Sequence, residues 1–342
     1  MSHTRPTIKD VAREAGVSHA TVSYVLTGSG HAERISAETK RRIFEAAERL
    51  GYRSNPVGRA LKRGYTDTVV LLIVTWHVAK SHAETAMAIS RSALARGFDV
   101  AVNVVDSDEE AHSFLKKNML LNNAGLLVLW DSPAMHDSSI VTLAQEGLPV
   151  VDLLPGSPDG ISTVTADREH AGYSVTRHLI ELGHQKIGFI GDVNSRVKTT
   201  TQKYRGYQRA LSEAGIALDS HLIQSVTEFG FDGGTKGFRE ILERRPDVTA
   251  VVCINDPMAL GVIACAESMG RKCPGDISVA GYGAFDEGSY WRPSLTTVGL
   301  SAESVAEKAL DEVLRMRTHC TCPTSTFIPG DLIVRESTGP PR

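Results

Sequence analysis

Along one side of "SHATVSYVLTG" (18–28) stand His19, Ala20, Ser23, Tyr24 and Thr27. They are short or polar, without a charge pattern, and recur at helical spacing. Such a face can come close to base edges in the DNA major groove, where methyl groups, imidazoles and hydroxyls do the reading. Further on, "SNPVGRALKRG" (54–64) sets one leucine, Leu61, among Arg59, Lys62 and Arg63. Asn55 suits a helix cap there and Pro56 its first turn. Gly58 then costs about 1 kcal/mol relative to Ala, and a run this short is marginal alone. A weak basic helix with one apolar residue needs something to fold against; the blander reading is a flexible basic linker.

The charge distribution points the same way. Residues 1–63 hold twelve Lys or Arg and six Asp or Glu, a net +6, whereas the other residues hold 25 and 34, a net −9. A basic head on an acidic body fits a polyanion partner for the head alone. Catalytic signatures are missing: no phosphate loop, no GxSxG elbow, no HExxH helix. The "GSG" at 28–30 follows a helix pattern instead of a strand, so it is no dinucleotide fingerprint. Five cysteines, at 253, 265, 273, 320 and 322, include an "HCTC" run. No second ligand pair stands at zinc-finger spacing, so no metal is assigned. The N-terminus is polar and no apolar run approaches the roughly 20 residues of a membrane span. A cytoplasmic protein without membrane contact is expected.

Three short helices must position the reading face. Thr7 with Asp10 three residues later opens like a capping box, and Ile8, Val11, Ala12 and Ala15 share one apolar face. The chain turns at Gly16. Ser18 caps a second helix whose apolar side is Val22, Val25 and Leu26. Ser36 caps a third, where Ile43, Phe44, Ala47 and Leu50 are spaced to cover the first two. Two helices of about eight residues around a glycine turn make a helix-turn-helix. The alternative is a three-helix bundle with no DNA role.

"TIKDVAREAGVSHATVSYVL" followed by "GYRSNPVGRALKRG" closely resembles the DNA-binding head of the LacI/GalR family of bacterial transcription regulators. "HLIELGHQKIGFIG", "YRGYQRAL", "CINDPMALG", "DISVAGYG" and "SLTTV" carry the resemblance through the rest of the chain. It implies that His19, Ala20 and Tyr24 read bases. It makes Thr7, Ser18, Thr21, Ser23 and His31 candidates for phosphate contacts, which position without specifying. It also implies a minor-groove hinge of Asn55, Val57, Arg59 and Leu61. There Leu61 enters a base step, and the unstacking cost is offset by a wider contact surface.

From Thr66 onward, strand and helix patterns alternate: "TVVLLIV", helix 84–97, "FDVAVNV", helix 109–121, "AGLLVLW", "PVVDLL". A second series begins near Thr163. The alternation implies parallel sheets with helices on both faces, and two such series resemble a two-lobed periplasmic-binding-protein-like body. The expected organisation is a helix-turn-helix domain (1–53), a hinge (54–65) and an effector-binding and dimerisation domain (66–342). Lobe 1 covers about 66–163 and 289–326, and lobe 2 about 164–288 and 327–342.

Ligands in such folds bind off the carboxyl ends of strands, between lobes. That selects Trp76, His77, Lys80, Trp130 and Asp131 on one side. On the other it selects Asp167, Arg168, Lys203, Phe229, Asn255, Asp256, Gly283 and Trp291, with Phe285 in the same loop. Aromatics would stack on a sugar or base, and carboxylates and amides would bond its hydroxyls. Two positions depart from the family's usual pattern: Lys203 where an Arg is usual, and Gly283 where an Asp is usual. Lysine lacks the planar fork and glycine offers no acceptor; Asp286 or Glu287 could supply one.

The function expected is a transcriptional repressor, homodimeric on a palindromic DNA operator and controlled by a small-molecule effector. No cofactor and no catalytic residue are assigned. The rival readings are a regulator of this fold without a ligand, and a cytosolic α/β enzyme.

Overall fold

The structure is a computed structural model, and it describes residues 6–27, 33–52, 56–75, 80–130, 138–193, 198–318 and 322–342. The chain divides into two compact units, Met1–Thr66 and Asp67–Arg342.

The first unit holds α1 (Ile8–Ala15), α2 (His19–Thr27), α3 (Ala37–Arg49) and α4 (Pro56–Arg63). The Thr7 amide and hydroxyl both donate to Asp10, at 2.9 and 2.7 Å, so the predicted box is formed. Those bonds hold the Asp10 carboxyl below its ordinary range. The Ser18 hydroxyl accepts from the Thr21 amide (3.1 Å) and Ser36 from that of Thr39 (3.2 Å). Val11, Ala12, Ala15, Val22, Val25, Ile43, Ala46 and Ala47 form the core. Phe44 is a correction: it is 54% exposed. On α3 the buried positions are 43, 46 and 47, and Phe44 stands about 100° off that stripe.

The second unit contains two six-stranded sheets. The first, in the order β11-β5-β4-β3-β1-β2, is built from β1 (Thr68–Val74), β2 (Asp99–Val105), β3 (Gly125–Trp130), β4 (Val150–Asp152), β5 (Ser162–Ala166) and β11 (Ser325–Ile328). The second, in the order β12-β10-β9-β8-β6-β7, is built from β6 (Ile187–Ile190), β7 (Ile223–Gln224), β8 (Ala250–Cys253), β9 (Ser278–Tyr282), β10 (Thr296–Gly299) and β12 (Asp331–Ile333). Pairing is parallel except between β10 and β12. Apolar runs such as "TVVLLIV" are buried over six of their seven residues, as strands covered on both faces must be.

Sheet membership corrects the expected lobe limits. β5 pairs with β4 and β11, so lobe 1 continues through Ala166 and not to 163. β10 pairs with β9, so lobe 2 continues through Gly299 and not to 288, and β11 keeps lobe 1 until Ile328. "STVTA" spans the expected limit at 163 and "TTVG" lies beyond that at 288, and buried ladder pairing makes each a strand of the lobe before it.

Lobe 1 carries α5 (Lys80–Ala95), α6 (Asp108–Leu115), α7 (Ser138–Gln145) and α13 (Ala302–Thr318). Lobe 2 carries α8 (Arg168–Glu181), α9 (Lys198–Glu213), α10 (Phe231–Arg244), α11 (Asp256–Ser268) and α12 (Asp286–Tyr290). His184, in the "LGH" motif, is fully enclosed: its ring bonds Thr249, Ser278 and the Gly339 carbonyl, tying the C-terminal segment to lobe 2. Burial holds it below the ordinary imidazole range, so it packs as a neutral group.

Candidate nucleic-acid interface and ligand cleft

In the head, the core takes Val22 and Val25 from α2, which turns His19 and Ala20 outward, both exposed, with Ser23 and Tyr24 half-buried at the edge. The hydroxyls of Ser18 and Thr21 lie 2.8 Å apart at the N-terminus of α2, where unpaired amides and the helix dipole favour a phosphate. α4 begins at Pro56, as the sequence pattern indicates, and presents Leu61 82% exposed beside exposed Arg63. Val57 and Arg59 belong to this helix. His31 and Asn55 lie outside the described residues.

In the body, several candidates prove to be committed to the protein's own backbone. The clearest case is Asn255, which caps α11 by accepting from the Met258 amide (2.9 Å) and donates to the Phe229 carbonyl (2.8 Å). Asp256 is fully buried; it accepts from the Thr297 hydroxyl (2.6 Å) and the Phe285 amide (2.8 Å). Burial pushes its carboxyl up from the usual range, while those two donors oppose the shift. Its place is therefore to pin the 283–285 turn onto α11, which corrects the expectation of a ligand contact. Trp130, which the sequence offers either as a ligand contact or as lobe packing, packs: it is 2% exposed, and its indole N–H donates to Asp108 (2.7 Å). A buried ring with a satisfied donor offers no face to a ligand.

Asp167 caps α8 by accepting from the His170 amide (2.8 Å), and Arg168 donates to the Thr165 hydroxyl (2.9 Å). Lys203 donates to the Ile254 carbonyl (2.8 Å), with its ammonium 4.9 Å from the centre of the buried Tyr282 ring. Phe229 is 37% exposed, and Trp291 is half-buried and tilted against Phe231 at 6.2 Å. Phe231 was missed in the sequence; its value as half of an aromatic pair depends on where α12 brings Trp291. Trp76, His77 and Asp131 lie outside the described residues.

Gly283 has φ 125°, and a Cβ there would stand 3.0 Å from the Phe285 ring. The space an aspartate side chain would need is thus crowded by Phe285. From lobe 1, the Lys80 ammonium reaches Glu287 at 3.1 Å and lies 4.9 Å over that same Phe285 ring. Among the described residues no His, Cys, Asp or Glu cluster could hold a metal, and no helix is long and apolar enough to cross a membrane.

Comparison with known proteins bears on both regions. A family described as "Bacterial regulatory proteins, lacI family" matches residues 7–55, and a periplasmic binding protein-like domain matches 176–338. The HTH-type transcriptional repressor PurR of Erwinia tasmaniensis is 33% identical over 314 residues, 90% of this chain and 89% of that one. Catabolite control protein A of Priestia megaterium is 32% identical over 294 residues, covering 85% and 86%. A solved complex of the transcriptional regulator CelR with cellobiose superposes with a TM-score of 0.70 at 29% identity, over 97% of this chain and all of that one. The lac repressor dimer on its operator shares the fold, with a TM-score of 0.76 at 23% identity over 98% of this chain and all of the other. The chain belongs to the lacI family of bacterial regulatory proteins and is a DNA-binding transcription regulator.

Proposed function

We propose that the protein is a cytoplasmic repressor that binds a near-palindromic operator as a homodimer, with a small molecule controlling it from the cleft between the body's lobes. The observation that carries this reading is the exposed pair of faces on the head. His19 and Ala20 stand outward on α2, and Leu61 stands outward on α4, where neither face contributes to the core. Two reading helices need two half-sites, so a dimer and a palindrome follow. The body supplies a surface for it: Met87 and Leu94 are 55% and 72% exposed on α5, and Val102 and Val104 are 43% and 51% exposed on the edge strand β2. Pairing with a second copy would cover both the apolar residues and the edge. The cleft offers half-exposed aromatics for stacking and Lys203 for a polar or anionic group; the related CelR was solved with cellobiose.

Selection of bound sequences from a random duplex pool tests this, at about 0.15 M salt because the phosphate contribution scales steeply with ionic strength. A palindrome with a deformable centre is the expected product. Tyr24→Ala should change which half-site is enriched, whereas unchanged enrichment would mean that Tyr24 only supports its helix. A pool that emerges without any palindrome would overturn the dimeric repressor.

Gly58 sits exposed in α4. Replacing it with alanine should favour the helix by about 1 kcal/mol. Operator binding would then tighten by roughly fivefold for each subunit's hinge, with a smaller response to effector, because less of the folding cost falls on the binding step. Operator titration of Gly58→Ala checks this, and an unchanged affinity would show that hinge folding is not part of the binding equilibrium.

A further inference from the structure

We propose that Lys80 is an internal latch of the cleft, holding the two lobes of the body together with no small molecule bound and so regulating the site described above. The inference rests on that cleft being the control site. Lys80 is the first residue of α5 in lobe 1, and its partners belong to lobe 2. Its ammonium meets the Glu287 carboxylate at 3.1 Å and the face of Phe285 at 4.9 Å.

Neither partner is loosely placed. The Phe285 amide is bonded to buried Asp256, which also holds Thr297 of β10. Gly283 makes room for the Phe285 ring, since any side chain there would press on it at 3.0 Å. Glu287 lies in α12, directly beyond that turn. The bond to Glu287 holds Lys80 above the ordinary lysine range, with Glu84 and Asp286 adding to the effect.

The pair is partly exposed, 40% for Lys80 and 62% for Glu287, so it adds little to global stability. Lobe opening is a different matter. Two arrangements of a hinged body differ by small free energies, and a contact made in only one of them shifts their ratio directly. One charge pair with one cation–ring contact should shift that ratio roughly three- to tenfold. Meanwhile Lys203, Asn255 and Asp256, which the sequence offered as ligand contacts, are bonded to the protein's own groups. These three groups of lobe 2 are engaged within their own lobe, whereas Lys80 reaches across from lobe 1.

Hydrogen exchange on the full-length protein, without DNA or added small molecule, tests the latch. Lys80→Met and Glu287→Gln should each speed exchange roughly three- to tenfold in two places at once, the first turns of α5 and the 285–291 segment. Phe285→Leu should do the same more weakly. The reversal Lys80→Glu with Glu287→Lys should bring both segments back toward their original rates. Operator affinity of Lys80→Met should move by a similar factor. Exchange that changes only in the substituted segment, or an affinity that does not move, would overturn the proposal. The duplex selection above reads the repressor assignment separately, so a failure of either is distinguishable from a failure of the other.

Discussion

Leu61→Ala is expected to weaken binding to the selected operator by roughly 10- to 100-fold, while binding to random duplex changes little. The magnitude is that of burying one leucine side chain, about 1.5–3 kcal/mol. In the free protein Leu61 is 82% exposed. Its removal therefore takes nothing from the head's core, and the thermal midpoint should not move. A wedge into the central base step of an operator would take its apolar surface out of water. Phosphate contacts from the neighbouring basic residues act on every sequence alike, so they cancel in the comparison. Arg63→Ala, on the same helix, should lower both affinities together and flatten the salt dependence. An equal loss on operator and random DNA for Leu61→Ala would sink the wedge, leaving α4 as a basic strap.

The head was legible in the sequence because its determinants are short-range. Thr7 with Asp10, Ser18 and Ser36 each act within three residues, and α4 starts at its proline. The core stripe of α3 was nearly so: a single position separates buried Ile43 from exposed Phe44. The body's alternation was equally plain: β1 to β4 fall within two residues of their patterns, whereas the helices read at 84–97 and 109–121 run over Lys80–Ala95 and Asp108–Leu115. What the pattern could not carry was partner choice. Whether "STVTA" or "TTVG" ends one lobe or opens the other depends on which distant strand accepts its ladder.

The cleft was harder still. A polar residue beyond a strand can face a ligand or turn back onto the backbone, and both readings share one sequence. Asn255 and Asp256 are adjacent, yet one caps α11 and the other holds a turn 29 residues away. The departures at Lys203 and Gly283 were visible as residue types. Their consequence, a Phe285 ring crowding the space and an ammonium from the other lobe resting on it, required coordinates.

Gly206→Ala is expected to destabilise the body by about 3 kcal/mol, the upper end for overpacking. That corresponds to a fall of roughly 5–10 °C in the thermal midpoint. A Cβ on Gly206 would stand 2.1 Å from the Glu169 carbonyl oxygen and 2.5 Å from the Tyr173 amide nitrogen, both backbone atoms of α8. No side chain can swing aside, so α8 and α9 must separate. Separation pulls on Tyr207, fully buried next to Gly206, whose hydroxyl donates to the Ile187 carbonyl at 2.8 Å. Alanine also favours the helix itself by about 1 kcal/mol, which is too small to offset the clash. The same substitution at Gly58, exposed on α4, should instead tighten operator binding, so one change has opposite effects in two helices. Gly172→Ala makes the reciprocal contact, 2.2 Å from the Lys203 carbonyl. Because one displacement of the helices relieves both, the double variant should lose less than the sum of the singles. Since that displacement carries the Lys203 backbone with it, ligand response should suffer alongside stability. A midpoint for Gly206→Ala at or above that of the unaltered protein would mean that α8 and α9 have slack to absorb a methyl group, and that their close crossing is not what fixes Lys203.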